Sequence, residues 1–299
     1  MKKTPKDVVE EDANAQFKLA VCYIKGDGVK QNFEEAANWL LKSADQGQAE
    51  AQCHLGICYT NGVGIDQNFV EAAKWYRKAA DQGHDLAQSN LGLAYFYGHG
   101  VKQSYADAVA WYRKAADQGN SDARNNLGQA YANGFGVKKN LKEAFKFYLE
   151  SAKQGNAEAQ INLGSAYSKG VGVEKDEAEA VNWYSAAAEQ GDASGLYNLG
   201  VCYRDGECVE QSCEGAAKLF YQAALQGFVP AQYGLAQFYA KGEGVDQDVK
   251  TAYGWFLLAA NAGMEEAATV IMSLDKILSL KEIKEARVWA EKWTPQIAQ

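Results

Sequence analysis

The sequence predicts an all-α chain of stacked helix–turn–helix repeats, and three observations carry that expectation. A leucine recurs at a strict 36-residue interval: Leu19, Leu55, Leu91, Leu127, Leu163, Leu199 and Leu235. A tyrosine four residues after each leucine, and a glycine three beyond it, keep the same interval from Tyr23 and Gly26 to Tyr239 and Gly242. Only three prolines stand against 29 glycines, so helices should end at glycine turns. Self-similarity of this length marks a repeat array, in which each unit buries its apolar face against its neighbours.

Each repeat reads as two helices. In the stretch Ala49–Tyr59, small and apolar residues keep helical spacing. Gly62 and Gly64 then stop the helix, because glycine accepts the positive φ of a helix C-cap. Such a glycine pair closes the first helix of six repeats, and the sixth repeat has Cys208 in place of the second glycine. The second helix follows, as in Phe69–Ala80, with an alanine and then an aromatic three residues on. Trp39, Trp75, Trp111, Trp183 and Trp255 hold that aromatic place, and Phe147 and Leu219 substitute in two repeats. Gly47, Gly83, Gly119, Gly155, Gly191, Gly227 and Gly263 end the units. Gly56, Gly92, Gly128, Gly164 and Gly200 fall inside the first helices, where glycine costs about 1 kcal/mol relative to alanine. Close helix contact is the physical reason expected for them, with Ala20 and Ala236 in the matching places.

The pattern Ala-x-Ala-Gln-x-x-Leu-Gly-x-x-Tyr-x-x-Gly-x-Gly-Val, followed by Ala-x-x-Trp-Tyr-x-x-Ala-Ala-x-x-Gly, resembles the Sel1-like repeat, a relative of the tetratricopeptide repeat. The resemblance covers residues 13–264, as units 13–48, 49–84, 85–120, 121–156, 157–192, 193–228 and 229–264. It implies an α/α right-handed superhelical solenoid of helix-turn-helix repeats that acts as an adaptor in protein assemblies. Residues 1–12 are charged and expected to fray. Residues 265–299 break the pattern, and a last helix near 281–293 places Ile283, Ala286, Ala290 and Trp293 on one stripe, as a capping helix should.

Composition narrows the function classes. The chain is 47% hydrophobic and 23% charged, enough to build a core, and its net charge is −8. That acidic balance argues against nucleic acid and anionic membranes as general partners. Met1-Lys2-Lys3 is followed by Thr-Pro-Lys-Asp where an apolar segment of a signal peptide should be. A cytoplasmic chain is therefore expected, or a periplasmic or secreted one if the start has been trimmed. Leu219 to Ala240 carries no charge, but Gly227 and Pro230 at its centre make it a turn between helices, so no membrane insertion is expected.

Chemistry finds little support. The glycine pairs match no phosphate-binding loop. His54, beside Cys53 and Cys58, lacks a fourth metal ligand and reads as an exposed helix residue. Cys22, Cys58 and Cys202 share one position before the tyrosine and read as small core-edge residues. Cys208 and Cys213 flank one loop, with a disulfide open to them only in an oxidising compartment. Some cysteine-rich relatives of the resembled family bind or slowly hydrolyse β-lactams, which makes a serine-acylating hydrolase the alternative function. Its sole Ser-x-x-Lys is Ser273–Lys276, with no accompanying Lys-Thr-Gly or Ser-Asp-Asn. No enzyme activity, cofactor or metal is expected.

Binding is the better reading. At about 100° per residue, Phe17, Val21 and Ile24 face away from the leucine side of the first helix. In a helical solenoid that side lines the concave surface. The matching columns are Phe17, Cys53, Ser89, Asn125, Ile161, Tyr197 and Tyr233; Val21, Ile57, Leu93, Gln129, Ser165, Val201 and Gln237; and Ile24, Thr60, Phe96, Ala132, Ser168, Arg204 and Ala240. They vary between repeats, as positions freed from packing do. Tyr197 and Tyr233 are read as an exposed aromatic pair. Immediately before the leucines, Asn90, Asn126, Asn162 and Asn198 form a ladder. Each amide can donate to and accept from the backbone of an extended peptide, or hydrogen-bond the neighbouring repeat. The expected function is a non-catalytic scaffold that binds a protein or extended peptide in the concave groove. The binding residues would be the four asparagines with Phe17, Ile57, Leu93, Phe96, Gln129, Tyr197, Arg204 and Tyr233. Weak self-association through the groove is the remaining partner class.

Overall fold

The computed structural model describes residues 12–296 and forms two compact units, residues 1–154 and 155–299. The described residues hold sixteen α-helices and no strand. The first unit contains α1 (Ala13–Lys25), α2 (Phe33–Asp45), α3 (Ala49–Asn61), α4 (Phe69–Asp81), α5 (Asp85–Tyr97), α6 (Tyr105–Asp117), α7 (Ser121–Asn133) and α8 (Leu141–Ala152). The second contains α9 (Ala157–Lys169), α10 (Glu177–Glu189), α11 (Ala193–Asp205), α12 (Cys213–Leu225), α13 (Val229–Lys241), α14 (Val249–Asn261), α15 (Glu265–Leu274) and α16 (Leu280–Lys292). Of the segment expected to fray, only Asp12 lies among the described residues. Its carboxylate accepts from Asn14 N at 2.9 Å and so caps α1. The uncharged stretch 219–240 is the end of α12, a turn and most of α13, and no described helix is long and apolar enough to cross a membrane.

Helix ends follow one scheme. The first helices stop at a left-handed glycine; Gly26, at φ 79°, donates its N–H to Cys22 O at 2.8 Å. The chain then returns so that the residue capping the second helix donates to the carbonyl of the repeat tyrosine, as Asn68 N does to Tyr59 O at 2.8 Å. The second-helix caps are Asn32, Asn68, Ser104 and Asn140 in the first unit, and Asp176, Ser212 and Asp248 in the second. Each side chain accepts from free N–H groups of the first turn, worth about 1 kcal/mol per cap.

The glycines inside the first helices meet the aromatic ring that follows the tryptophan position. A Cβ on Gly92 would lie 2.5 Å from the Tyr112 ring, and one on Gly200 2.7 Å from the Phe220 ring. Tyr112 and Phe220 are fully buried. The expected close approach is thus a ring of the same repeat lying flat on a bare helix backbone. The first repeat pairs Ala20 with Leu40 and the seventh Ala236 with Phe256, each within one buried cluster.

Glutamines tie the repeats together. Gln82 Nε2 donates to Gln52 Oε1 at 2.7 Å within one repeat, and Gln52 Nε2 donates to Ala44 O of the preceding repeat at 3.0 Å. Gln118, Gln88 and Ala80 repeat the arrangement. Loops lock as well: a Cβ on Gly100 would overlap Phe69 O at 1.9 Å, because each loop rests on the start of the previous second helix. Cys208, at φ 54°, is the one non-glycine residue with positive φ among the described residues.

At the end of the chain, α16 carries a capping box between Ser279 and Glu282 and buries Ala286 and Ala290. Its Trp289 occupies the space above Gly254 of α14, where a Cβ would lie 2.8 Å from the ring. Ile283 and Trp293 pack half-buried against the same core.

Candidate protein-interaction site

The first-helix column headed by Phe17 is largely closed, not open as its helical angle predicts. Cys53, Ser89 and Asn125 are 0%, 1% and 1% exposed. The angle treats each helix as isolated, whereas the next first helix packs on this side: Cys53 lies in one cluster with Ala87 and Leu91 of the following repeat. Burial pushes the Cys53 thiol up to about 12, which makes it inert. Phe17 is half-buried and meets His54 of the next repeat edge-on, with centroids 5.3 Å apart. His54 is therefore half-buried rather than exposed, and its Nδ1 lies 2.9 Å from Glu50 O.

The two other columns reach the surface. In the first unit Ile57, Leu93, Phe96 and Gln129 are half-buried, as are Asn90 and Asn126. Asn90 and Leu93 come together in a cleft of about 200 Å³ with Thr60, Tyr76, Tyr97 and His99. The Tyr76 and Thr60 hydroxyls lie 2.9 Å apart at its wall, and Thr60 Oγ1 also donates to Gly56 O. Burial raises the Tyr76 phenol to about 12, so the wall stays neutral. Pockets for drug-sized ligands run from roughly 300 to 1,000 Å³, so this cleft matches one side chain better than a whole metabolite. The carboxamides of Asn90, Asn126 and Asn198 have no hydrogen-bond partner among the described residues.

In the second unit, Tyr197 and Tyr233 do not form an exposed aromatic pair. Tyr197 stacks on buried Phe220 at 5.3 Å and 26°, and Tyr233 meets buried Phe256 edge-on at 5.4 Å. Both are half-buried because a large ring at this position folds back onto the second helices. Arg204 is engaged in a two-pronged pair with Asp205, at 2.7 and 2.8 Å. That pairing holds the Asp205 carboxyl below its usual range. Asn162 and Asn198 remain half-buried. A cleft of about 360 Å³ lined by Tyr221, Tyr239, Trp255 and Trp289 contains none of the residues predicted from sequence.

The candidate chemistry gains nothing from its surroundings. Ser273 and Lys276 are both exposed at the end of α15, where Lys276 N donates to Ser273 O at 3.3 Å. No group of three or more potential metal ligands occurs among the described residues. All six cysteines are free thiols, Cys208 and Cys213 included, and Cys208 Sγ faces Glu177 Oε2 at 3.8 Å.

Comparisons with known proteins agree with this architecture. No curated protein matches the chain. A protective antigen present in uropathogenic Escherichia coli strains, displaying an SLR fold, shares 34% identity and a TM-score of 0.71 over 95% of this chain. The chain spans 62% of that protein. A Sel1 repeat protein from Oxalobacter formigenes shares 34% identity and a TM-score of 0.72, covering 88% of this chain and 76% of that one. Yeast Tom70, at 16% identity and a TM-score of 0.51 over 95% of this chain and 57% of its own, shares the helical-repeat fold alone. The Sel1 repeat model matches seven times, at residues 13–48, 49–84, 85–120, 121–156, 157–192, 193–228 and 229–264. With helix pairs and glycine caps repeated through those residues and ring-on-glycine contacts in repeats two to six, this chain belongs to the Sel1 repeat family, an α/α solenoid family whose members typically scaffold protein interactions.

Proposed function

We propose that this chain is a non-catalytic scaffold that holds a protein or extended peptide along the outward faces of its first helices. The observation that carries this reading is the set of half-buried asparagines whose carboxamides are unpaired. A partly buried amide left without a partner loses hydrogen bonds that water or a ligand must replace. An extended peptide offers both a donor and an acceptor at each residue, so Asn90 and Asn126 of the first unit can hold its backbone without selecting its sequence, and Asn198 of the second unit can do the same by itself. The apolar cleft beside Asn90 then takes one large side chain. Varied neighbours such as Leu93, Phe96 and Gln129 supply selectivity.

Cross-linking capture from host lysate, read by mass spectrometry, tests the proposal. The wild type is compared with a variant carrying Asn90→Ala, Asn126→Ala and Asn198→Ala, first shown to be folded by circular dichroism. A partner kept by the wild type and lost by the variant is the expected result. Equal capture by both would remove these faces from the binding site. Concentration-dependent sedimentation without any other partner would assign the faces to a second copy of the chain.

A further inference from the structure

The edge formed by the glycine loops and the starts of the second helices differs sharply from the rest of the first unit. Phe33, Val63, Val70, Tyr97, Phe135 and Leu141 are its large apolar residues more than a third exposed, and every one lies in a glycine loop, beside it, or in the first turn of a second helix. Such clustering is not the scatter of single apolar residues normal on a soluble surface. From repeat two to repeat four the edge is a continuous chain of rings. Phe69 stacks on His99 at 4.7 Å, His99 on Tyr97 at 5.4 Å, and Tyr97 meets Phe96 at 5.0 Å. Phe96 then touches Tyr105 at 5.1 Å and Phe135 at 5.6 Å. Tyr97 is 59% exposed at the middle of this chain.

The loops of repeats three and four carry positive charge only, whereas exposed Asp27 and Asp66 stand in the loops of repeats one and two. Lys102 lies between His99 and Tyr105, while Lys138, Lys139 and Lys142 follow Phe135. All four are exposed, and the ion pairs seen among the described residues of this unit join Glu71 to Lys74, Glu150 to Arg124 and Glu143 to Lys146 instead. The matching loops of the second unit carry Glu174 and Glu177, with Lys175 paired to Glu177 at 2.5 Å, then Glu207 and Glu210, and Glu243 and Asp246. A chain of net charge −8 thus keeps a local cluster of unpaired lysines beside its most exposed aromatic surface.

We infer that this edge docks an acidic peptide segment bearing large apolar side chains. The inference rests on the protein-binding function proposed above and names the partner's chemistry. Apolar side chains of the segment cover Tyr97, Tyr105 and Phe135, and its carboxylates meet Lys102, Lys138 and Lys139. Charge complementarity selects this partner over a basic or neutral one and makes its capture salt-sensitive.

Selection of random peptides displayed on phage against the folded full chain tests the assignment without presuming a sequence. Recovered peptides should be enriched in Asp and Glu together with Phe, Trp or Leu. Their affinity, measured by fluorescence anisotropy with the synthetic peptide, should fall about tenfold or more in a Lys138→Glu, Lys139→Glu variant. Tyr97→Ser should weaken it independently, whereas Lys74→Glu, at a lysine already paired with Glu71, should not. Neutral or basic peptides whose binding is lost in the triple asparagine variant and kept in the lysine variant would overturn the edge assignment and leave the scaffold function standing. Failure to recover any binding peptide would overturn both.

Discussion

The two compact units share one template and differ in how they finish its exposed positions. Loops of repeats three and four in the first unit carry aromatic rings and unpaired lysines, whereas matching loops of the second are mainly acidic. Second helices of the first unit are capped by Asn32, Asn68, Ser104 and Asn140, all neutral, while two of the three caps in the second, Asp176 and Asp248 beside Ser212, are acidic. Exposed lysines stack on tryptophans in the first unit, as Lys78 does on Trp75 at 3.6 Å and Lys114 on Trp111 at 3.8 Å. In the second, Trp255 instead packs against Trp289 and Trp293 of the closing segment. The ring-on-glycine contact survives in both. Packing therefore holds the buried positions constant, and the surface is where the units have diverged in chemistry.

The largest expected effect breaks the shared contact. In Gly92→Ala the new Cβ meets the fully buried Tyr112 ring at 2.5 Å and Ala108 O at 3.2 Å. Overpacking should outweigh the gain in helix propensity and lower stability by about 2 kcal/mol, read from the urea midpoint. Adding Tyr112→Leu should recover part of the loss by recreating the Ala20 and Leu40 pairing of the first repeat. A Gly92→Ala protein as stable as the wild type would show that the ring yields freely.

The caps give the next effect. Asp248→Ala should cost about 1 kcal/mol at neutral pH. The Thr251 hydroxyl and N–H bonds hold the Asp248 carboxyl below its usual range. Its stabilisation is then complete above the ordinary carboxylate pKa of about 3.9 and is lost as pH falls through the lowered value. Asp248→Asn, which copies the neutral caps of the first unit, should remove this acid-dependent loss while keeping the cap. Acid titration followed by circular dichroism separates the two variants.

Cys208 tests whether the second unit's exception carries strain. Cys208→Gly should relieve the left-handed backbone and raise stability by about 0.5–1 kcal/mol, the freer unfolded chain offsetting part of the gain. An unchanged urea midpoint would mean that the loop has relaxed around the cysteine. The smallest effect is expected of Gly254→Ala. Its Cβ would meet Trp289, but that ring is 40% exposed and can turn aside. A midpoint equivalent to within about 0.5 kcal/mol of wild type, set beside Gly92→Ala, would show that ring burial decides the cost of the same substitution.

Much of the interior was legible because the 36-residue interval repeats each packing solution. Leucine, tyrosine and glycine columns marked the helix pairs, and the glycines inside helices announced a close approach, though not that Tyr76, Tyr112 and their equivalents would make it. The glutamine of the Ala-x-Ala-Gln pattern, Gln52, was visible too, but its links to Gln82 and Ala44 depend on i, i+30 and i, i+8 contacts that no local pattern reveals. The interaction site was read less well. Helical angle alone placed Cys53, Ser89 and Asn125 outward, and it offered no sign that Tyr197 and Tyr233 fold inward.

What the sequence determined by itself is the all-α repeat architecture, its units and the places where helices begin and end. Those features follow from local chemistry, since a cap, a left-handed glycine and an apolar stripe act within one or two turns of the chain. Tertiary structure alone decided which face of each first helix stays open, because that depends on the neighbouring helix and not on the helix's own angle. It also gathered Phe69, Phe96, Tyr97, His99, Tyr105 and Phe135 from three repeats into one chain of rings. Ring contacts of this kind are set by how each loop rests on the start of the preceding helix, a contact that exists only once the repeats have stacked.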